Sequence, residues 1–277
     1  MAARHGRAQH NWENLIVTTT GTYETPTIEQ INRHASVRNY KPDPVPRAMV
    51  EAVVAAGQRA STSSNLQMTS VVAVTDPDTR KTLAHLCGNQ AHIAQAPIFL
   101  AWCADLARLD RICEARNYTH VAEYVENFLL SAVDTAIMMQ NAALAAESLG
   151  LGMCYIGAIR NRSKAVIDLL HLPRLVFPLV GMTLGWPAAT PMLRPRLPLE
   201  AVLHWDRYDS SGEKDALVDY DRAMVATGIY EGRQVPVPGQ PDSVEDYGWQ
   251  EHSARRVSQP HRIELRDVLE QQGFALR

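Results

Sequence analysis

The 277-residue sequence has only four cysteines, no long apolar run and no large excess of either charge. The cysteines lack C-x-x-C spacing, so they predict reduced and mostly buried thiols. Nowhere do eighteen apolar residues follow one another, and the first twenty residues hold only the short run NLIV, which is too brief for a signal-peptide core. We therefore expect a cytoplasmic protein that has no membrane partner.

The formal net charge is −3, from 27 basic and 30 acidic residues. This balance gives no general attraction for nucleic acid, so anion binding must come from a local arginine cluster. The sequence contains no P-loop, H-E-x-x-H or G-x-S-x-G motif, which argues against NTPases, zincins and common hydrolases. GLGMCYIG contains G-x-G, but it ends a predicted helix and begins a strand, the reverse of a Rossmann fingerprint. We expect no nucleic-acid partner and no metal site.

Helices and strands are predicted in a mixed order without a regular βαβ period, which favours an α+β fold. Caps and helical spacing predict helices after Thr25, after Pro46 and from Asp76 or Asp78, and a helix capped by Asn161. A long central helix is predicted from about 122 to 150, with Gly150 and Gly152 as its stop. Strands are predicted at SVVAVT, APIFLAWC, MCYIGAI and FPLVGMTLGWP.

The predicted organisation has three parts. Residues 1–22 form an N-terminal tail, residues 23–200 a core, and residues 201–277 a C-terminal arm that is more polar and less periodic. Within the arm, PVPGQPD is interpreted as a linker, and a last helix is predicted near IELRDVLEQQ.

Three polar elements could bind one anion. In HASVRNY, the residues His34, Ser36 and Arg38 occupy every second position and would share one face of an extended segment. The second element is a hydroxyl loop at Thr62, Ser63 and Ser64, and the third is Arg194 and Arg196 in RPR. A phosphate monoester carries a charge of about −1.5 to −2 and three acceptor oxygens, which these elements suit. Singly, each is more typical of a solvated surface, so only their coincidence predicts a site.

Several motifs together resemble one family. They are HASVRNYKPDPVP, STSSNLQ, CGNQAHIAQAP, the block from Ser131 to Asn161, LPRLVFPLVGMTLGWP and RPRLP. In order and spacing they resemble the FMN-binding nitroreductase family, in its oxygen-insensitive NADPH nitroreductase and flavin reductase group. The resemblance runs from about residue 23 to the C-terminus. It implies an FMN-dependent nitroreductase fold, with a central, mainly antiparallel sheet flanked by helices. It also implies an intertwined homodimer with a C-terminal arm and FMN sites at the interface.

The resemblance also implies roles for individual residues. His34 and Ser36 would contact the FMN phosphate, helped by Arg194 and Arg196. Arg38 would lie toward the pyrimidine edge of the flavin, where it would stabilise the charge left after hydride reaches N5. The other cofactor-binding positions that the resemblance implies are Ala35, Thr62, Ser63, Ser64, Gln90, Tyr155, Ile156, Gly157 and Ala158, with a backbone amide near Gly157 facing N5.

One position departs from the family pattern, because the family usually has arginine where this chain has Ala35. Losing one charge-assisted hydrogen bond costs about 1.5–3 kcal/mol, or roughly ten- to a hundredfold in affinity. We therefore expect FMN to bind more loosely than is common in the family. Arg160 and Arg233 are candidates for the 2′-phosphate of NADPH, and Arg233 could equally be a solvated charge. Glu126 could line the substrate pocket or be an exposed helical acid.

The implied activity is a ping-pong reduction by two electrons, in which NADPH, or alternatively NADH, reduces FMN and a nitroaromatic or quinone then reoxidises it. The protein would supply no acid or base of its own. One alternative is a flavin reductase that uses free FMN as its acceptor. Another is a flavin-binding sensor or carrier without significant reductase activity, which Ala35 and the unusual arm motivate.

Overall fold

The computed structural model describes residues 16–17 and 23–277. The predicted N-terminal tail lies outside the described residues except for Ile16–Val17, which pair antiparallel with Tyr23–Glu24. The strands are β1 (Ile16–Val17), β2 (Tyr23–Glu24), β3 (Thr69–Val74), β4 (Ile98–Asp105), β5 (Gly152–Ile156), β6 (Val176–Gly185), β7 (Gln234–Val237) and β8 (Gln240–Asp246). The helices are α1 (Pro26–Asn32), α2 (Arg47–Gly57), α3 (Pro77–Leu86), α4 (Ala91–Gln95), α5 (Ala107–Ala115), α6 (Val125–Ser148), α7 (Ser163–Leu169), α8 (Glu213–Ala226), α9 (Trp249–Val257) and α10 (Leu265–Gln271).

A four-stranded sheet in the order β3-β4-β6-β5 forms the centre, and every pairing in it is antiparallel. Every residue of β4 is buried, and its apolar side chains alternate between two cores. Phe99 and Cys103 pack in the core that includes α3 and α7, whereas Leu100 and Trp102 pack in the core with α2 and α6. The sheet is therefore covered by helices on both faces, which confirms the predicted α+β fold.

The predicted caps explain where two helices begin. The Thr25 hydroxyl accepts a hydrogen bond from the backbone N–H of Ile28 at 3.2 Å, and Pro26 opens α1. The Asp76 carboxylate accepts from the backbone N–H of Thr79 at 2.7 Å at the start of α3. The cap predicted at Asn161 is wrong, because a 3₁₀ turn at Gly157–Arg162 precedes α7 and no side chain caps that helix.

The long predicted helix is α6, which is apolar and long enough to cross a membrane by length and composition alone. Its buried residues pack in the core beside α2 and the sheet. Gly150, at φ +80°, turns the chain after α6 as predicted. Gly152 is not part of that stop, because it lies within β5 and allows another segment to approach closely.

The C-terminal region differs most from the prediction. PVPGQPD is not a linker but part of the hairpin β7–β8, in which Pro238 and Gly239 form the two-residue turn. The end of the chain returns to its own core, where the Phe274 ring is fully buried and packs edge-to-face on Phe128 at 5.4 Å between centroids. Helix α10 lies close to the last helix predicted from the sequence.

Candidate functional site

The segment from His34 to Tyr40 runs in an extended course beside the sheet. The backbone N–H of Val37 donates to the Met153 carbonyl at 2.8 Å, and Tyr40 forms an antiparallel bridge with Pro187. Ala35 and Val37 are buried, Ser36 and Arg38 are exposed, and His34 is half-buried. The alternation predicted from the sequence is confirmed, because the pleat turns the polar side chains away from the core.

Contacts with β5 and β6 fix this segment on the sheet. The buried Tyr40 hydroxyl donates to the Val37 carbonyl at 2.7 Å and lies 2.8 Å from the Thr183 hydroxyl. Burial raises the pKa of Tyr40, so its hydroxyl stays a neutral hydrogen-bonding group. At Gly152, a methyl group would lie 2.5 Å from Cγ2 of Val37 and 2.9 Å from Cγ of Pro187. Only glycine therefore allows the segment to lie this close to the strand.

The polar face of the segment borders a cavity of about 350 Å³, which is within the size range of small-molecule sites. Arg194 and Arg196, which are exposed, complete its wall. The other lining residues are His34, Ala35, Ser36, Val37, Arg38, Asn39, Ala189, Thr190, Pro191 and Met192. Three guanidinium groups, an imidazole and two hydroxyl groups line this cavity, and none of its lining residues is acidic. This donor set fits a phosphate group.

Two side chains lie behind the cavity. Nδ1 of His34 is 2.6 Å from Oε1 of Glu147, whose side chain is 10% exposed, near the end of α6. Burial raises the pKa of the Cys154 thiol, while nearby Arg38, Ser36 and Arg194 oppose this shift. Cys154 therefore lies close to the cationic wall as a neutral thiol.

The hydroxyl loop lies elsewhere in the chain. The backbone N–H and the hydroxyl of Ser63 donate to Oδ1 of Asp134 at 2.9 and 3.1 Å, and Thr62 lines a different cavity. Asp134 and Glu147 are 13 residues apart on α6, which is about 20 Å along the helix axis. Within one chain, Ser63 and His34 are therefore anchored at separate points of the same helix. Ser64 has φ +49° in this tight turn.

The remaining predicted FMN positions do not line the cavity. The Gln90 side chain donates to the Cys87 carbonyl at 2.8 Å. The Tyr155 hydroxyl turns back to α6 and donates to the Met139 carbonyl at 3.1 Å, and Ile156 is buried. Gly157 and Ala158 are half-buried at the end of β5, so their backbone is partly accessible there. Contact of these residues with a ligand stays a prediction.

The predicted NADPH residues lie in different surroundings. Arg160 donates to the Leu179 carbonyl and lines a cleft with Arg262, whose Nε donates to Oδ1 of Asn161 at 3.0 Å. Burial and, secondly, the charge of Arg262 lower the pKa of Arg160. The guanidinium of Arg233 instead lies 4.2 Å from the centroid of the Tyr247 ring, a cation–π geometry.

Sequence reasoning missed Arg262, because no motif marks it and 101 residues separate it from Asn161. Glu126, the candidate for the substrate pocket, is exposed in the first turn of α6.

The fold is α+β, and the cavity has a set of donors that fits a phosphorylated ligand. The family model "Nitroreductase family" matches residues 31–186, and the model "Nitroreductase family, C-terminal domain" matches residues 194–277. The chain therefore belongs to the nitroreductase family, and it is an oxidoreductase.

Known relatives cover nearly the whole chain. An oxygen-insensitive NADPH nitroreductase of Salmonella typhimurium is 41% identical over 253 residues, which are 91% of this chain and 100% of the relative. An FMN reductase (NADPH) of Bacillus subtilis is 33% identical, over 90% of this chain and 98% of the relative. The solved structure of an NADPH:FMN oxidoreductase from Vibrio harveyi, complexed with NAD⁺, matches with a TM-score of 0.80 and 35% identity. That match covers 91% of this chain and 99% of that one.

Proposed function

We propose that the chain is an FMN-dependent NADPH oxidoreductase that reduces nitroaromatics, quinones or related electrophilic acceptors by two electrons. One observation carries the proposal: the cavity beside His34–Arg38 gathers arginines from two distant segments and is lined by no acid. FMN, when bound, supplies the redox chemistry, since it accepts a hydride from NADPH and passes two electrons to the acceptor. Relatives that are an NADPH nitroreductase and an FMN reductase (NADPH) support this activity.

The side chains of the cavity hold the phosphate group in this proposal. Arg194 and Arg196 provide guanidinium forks, which suit phosphate oxygens, and Ser36 provides a hydroxyl donor. His34 donates from its ring, and Arg38 at the same wall stabilises negative charge as the cofactor is reduced. The protein thus binds and polarises the cofactor, and it needs no acid or base of its own.

Ala35 leaves the site one cation short of the family pattern. Its buried methyl group offers no hydrogen-bond donor to a phosphate oxygen. Arg194 and Arg196 therefore carry a larger share of phosphate binding. We propose that FMN binds more loosely in this chain than in relatives that have arginine there, by about tenfold or more.

We propose a homodimer that forms around α6. An apolar stripe runs along α6, where Val125, Leu129, Val133 and Ile137 recur every fourth residue and each residue is 41–54% exposed. In a two-fold dimer built on this stripe, the partner's hydroxyl loop can approach the cavity of the first chain. Such a site would unite Thr62–Ser64 and Gln90 with the phosphate cavity, which a single chain does not do. This arrangement supports FMN sites at the interface.

For NADPH, we propose that Arg160 and Arg233 are the residues that bind the 2′-phosphate. Arg262 lies beside Arg160 in the cleft that these two arginines line, whereas Arg233 lies outside that cleft. Guanidinium groups suit this dianion, and Tyr247 holds the Arg233 side chain in place. The donor is accordingly NADPH in preference to NADH. We also propose a cytoplasmic location, because the four cysteines are free and three of them are buried, as is usual in a reducing compartment.

Anaerobic mixing of the FMN-loaded protein with NADPH tests the activity. We expect the visible absorption of oxidised flavin to bleach, and to return when a nitroaromatic or a quinone is added. Flavin absorption that NADPH leaves unchanged would refute the reductase and favour a sensor or carrier.

The relatives named FMN reductase favour a second candidate, in which free FMN is the acceptor. Comparing the turnover of free FMN with that of a nitroaromatic, at equal NADPH, separates the two. A much higher kcat/KM for free FMN would identify a flavin reductase.

A further inference from the structure

A buried carboxylate lies directly behind the phosphate cavity. Glu147 comes from the last turn of α6, and its side chain is only 10% exposed. Its Oε1 is 2.6 Å from Nδ1 of His34, which lines the cavity. Its Oε2 is buried and has no hydrogen-bond partner among the described residues. Burying a carboxylate with one oxygen unpaired costs stability, so packing alone does not explain this arrangement.

We propose that Glu147 is a positioning residue for FMN, which acts through His34 to present a charged imidazolium to the cofactor phosphate. Nδ1–H of His34 donates to the Glu147 carboxylate, and this leaves Nε2–H to donate to a phosphate oxygen. A neutral imidazole in the same orientation would present a lone pair at Nε2, which would repel the phosphate. The carboxylate therefore fixes the ring orientation in which Nε2 faces the phosphate.

The composition of the cavity increases the importance of the His34–Glu147 pair for phosphate binding. Ala35 follows His34, so the position next to His34 supplies no guanidinium that could replace a weakened histidine contact. Arg194 and Arg196 belong to another segment and are exposed, whereas His34 is half-buried beside the sheet. A charge-assisted hydrogen bond from a partly buried donor is stronger than one from a solvated side chain. His34 and Glu147 are thus the fixed part of the phosphate site.

The inference rests on the proposed FMN site, and the test is a comparison of FMN with riboflavin, which has the same ring but no phosphate. Dissociation constants for both are measured by flavin fluorescence on the full chain, for the wild type, Glu147→Gln, His34→Gln and the double variant. The change from glutamate to glutamine keeps the size of the side chain but removes its charge. We expect the FMN dissociation constant of Glu147→Gln to rise about tenfold, with that of riboflavin nearly unchanged.

The double variant tests whether Glu147 acts through the histidine. In the His34→Gln background, Glu147→Gln is expected to cause no further loss of FMN affinity, because its target is already absent. Glu114→Gln, which changes an exposed acid on α5, is the matched control and leaves both constants unchanged. Thermal melting shows that each variant is folded.

Three results would overturn the inference. Equal loss of FMN and riboflavin affinity would mean that Glu147 only supports the fold. An unchanged or improved FMN affinity in Glu147→Gln would mean that the carboxylate does not help to bind phosphate. A wild type that does not prefer FMN to riboflavin would overturn the phosphate site itself, and with it the role of Glu147. The first two results leave the FMN site in place. Failure of the role proposed for Glu147 can therefore be distinguished from failure of the proposed FMN site.

Discussion

Replacing Gly152 with alanine tests whether the contact between the His34–Tyr40 segment and β5 builds the site. The new methyl group would lie 2.5 Å from Cγ2 and 2.8 Å from Cβ of Val37, and 2.9 Å from Cγ of Pro187. These distances are far inside van der Waals contact, and the neighbouring atoms belong to short or rigid side chains. The segment must therefore move away from β5, which weakens the bond from the Val37 N–H to the Met153 carbonyl.

The expected size of this effect follows from the packing. Overpacking a well-packed interior costs about 1–3 kcal/mol of unfolding free energy. For a chain of this size, each kcal/mol lowers Tm by about 2–4 °C. Displacement of His34, Ser36 and Arg38 also separates them from Arg194 and Arg196 across the cavity. Loss of one charge-assisted phosphate contact predicts an FMN dissociation constant raised about tenfold or more.

Thermal melting and FMN titration on the purified Gly152→Ala protein measure both effects. Gly212→Ala is the matched control, because that glycine has a negative φ and no atom within 4 Å of the added methyl group. A Gly152→Ala protein with the Tm and the FMN affinity of the wild type would refute the claim that this close contact positions the site. A lower Tm with unchanged FMN affinity would separate stability from cofactor binding. It would refute the claim that displacing His34, Ser36 and Arg38 weakens FMN binding.

Three further predictions concern the arginines and the apolar stripe. Replacing Arg194 and Arg196 together with alanine should raise the FMN dissociation constant at least about a hundredfold, and a variant that keeps its yellow colour through desalting would contradict the phosphate role. Arg233→Ala should raise KM for NADPH more than KM for NADH, and equal effects would remove Arg233 from the 2′-phosphate site. Leu129→Glu should convert a dimer to monomers in light scattering, whereas Val257→Glu, at an exposed valine outside the stripe, should not. A Leu129→Glu dimer would refute the α6 interface.

Much of the core follows from local sequence patterns. The continuous apolar run of β4 predicts a strand buried on both faces, and Thr25 and Asp76 predict helix starts because their side chains satisfy the free N–H groups of the first turn. The alternation of His34, Ser36 and Arg38 also predicts one polar face, since an extended chain has a period of two. These features depend on neighbours in sequence, so the sequence alone contains them.

The features that could not be predicted depend on contacts between distant residues. His34 and Glu147 are 113 residues apart, and no spacing rule connects an acid in the last turn of α6 to a histidine in an extended segment. Gly152 resembles a helix stop in the sequence, and only the packing of Val37 against it explains its role. The Pro-Gly pair of the β7–β8 hairpin is equally typical of linkers and of turns, and the pairing of the flanking strands decides between them.

The most direct test of the central claim is the visible absorption spectrum of the purified wild-type chain, taken after incubation with excess FMN and removal of the unbound cofactor. We expect a yellow protein that retains the absorption bands of oxidised flavin. We expect a colourless protein when riboflavin replaces FMN in the incubation, because the cationic cavity holds the phosphate group. A protein that stays colourless after incubation with FMN would show that the cavity does not hold this cofactor.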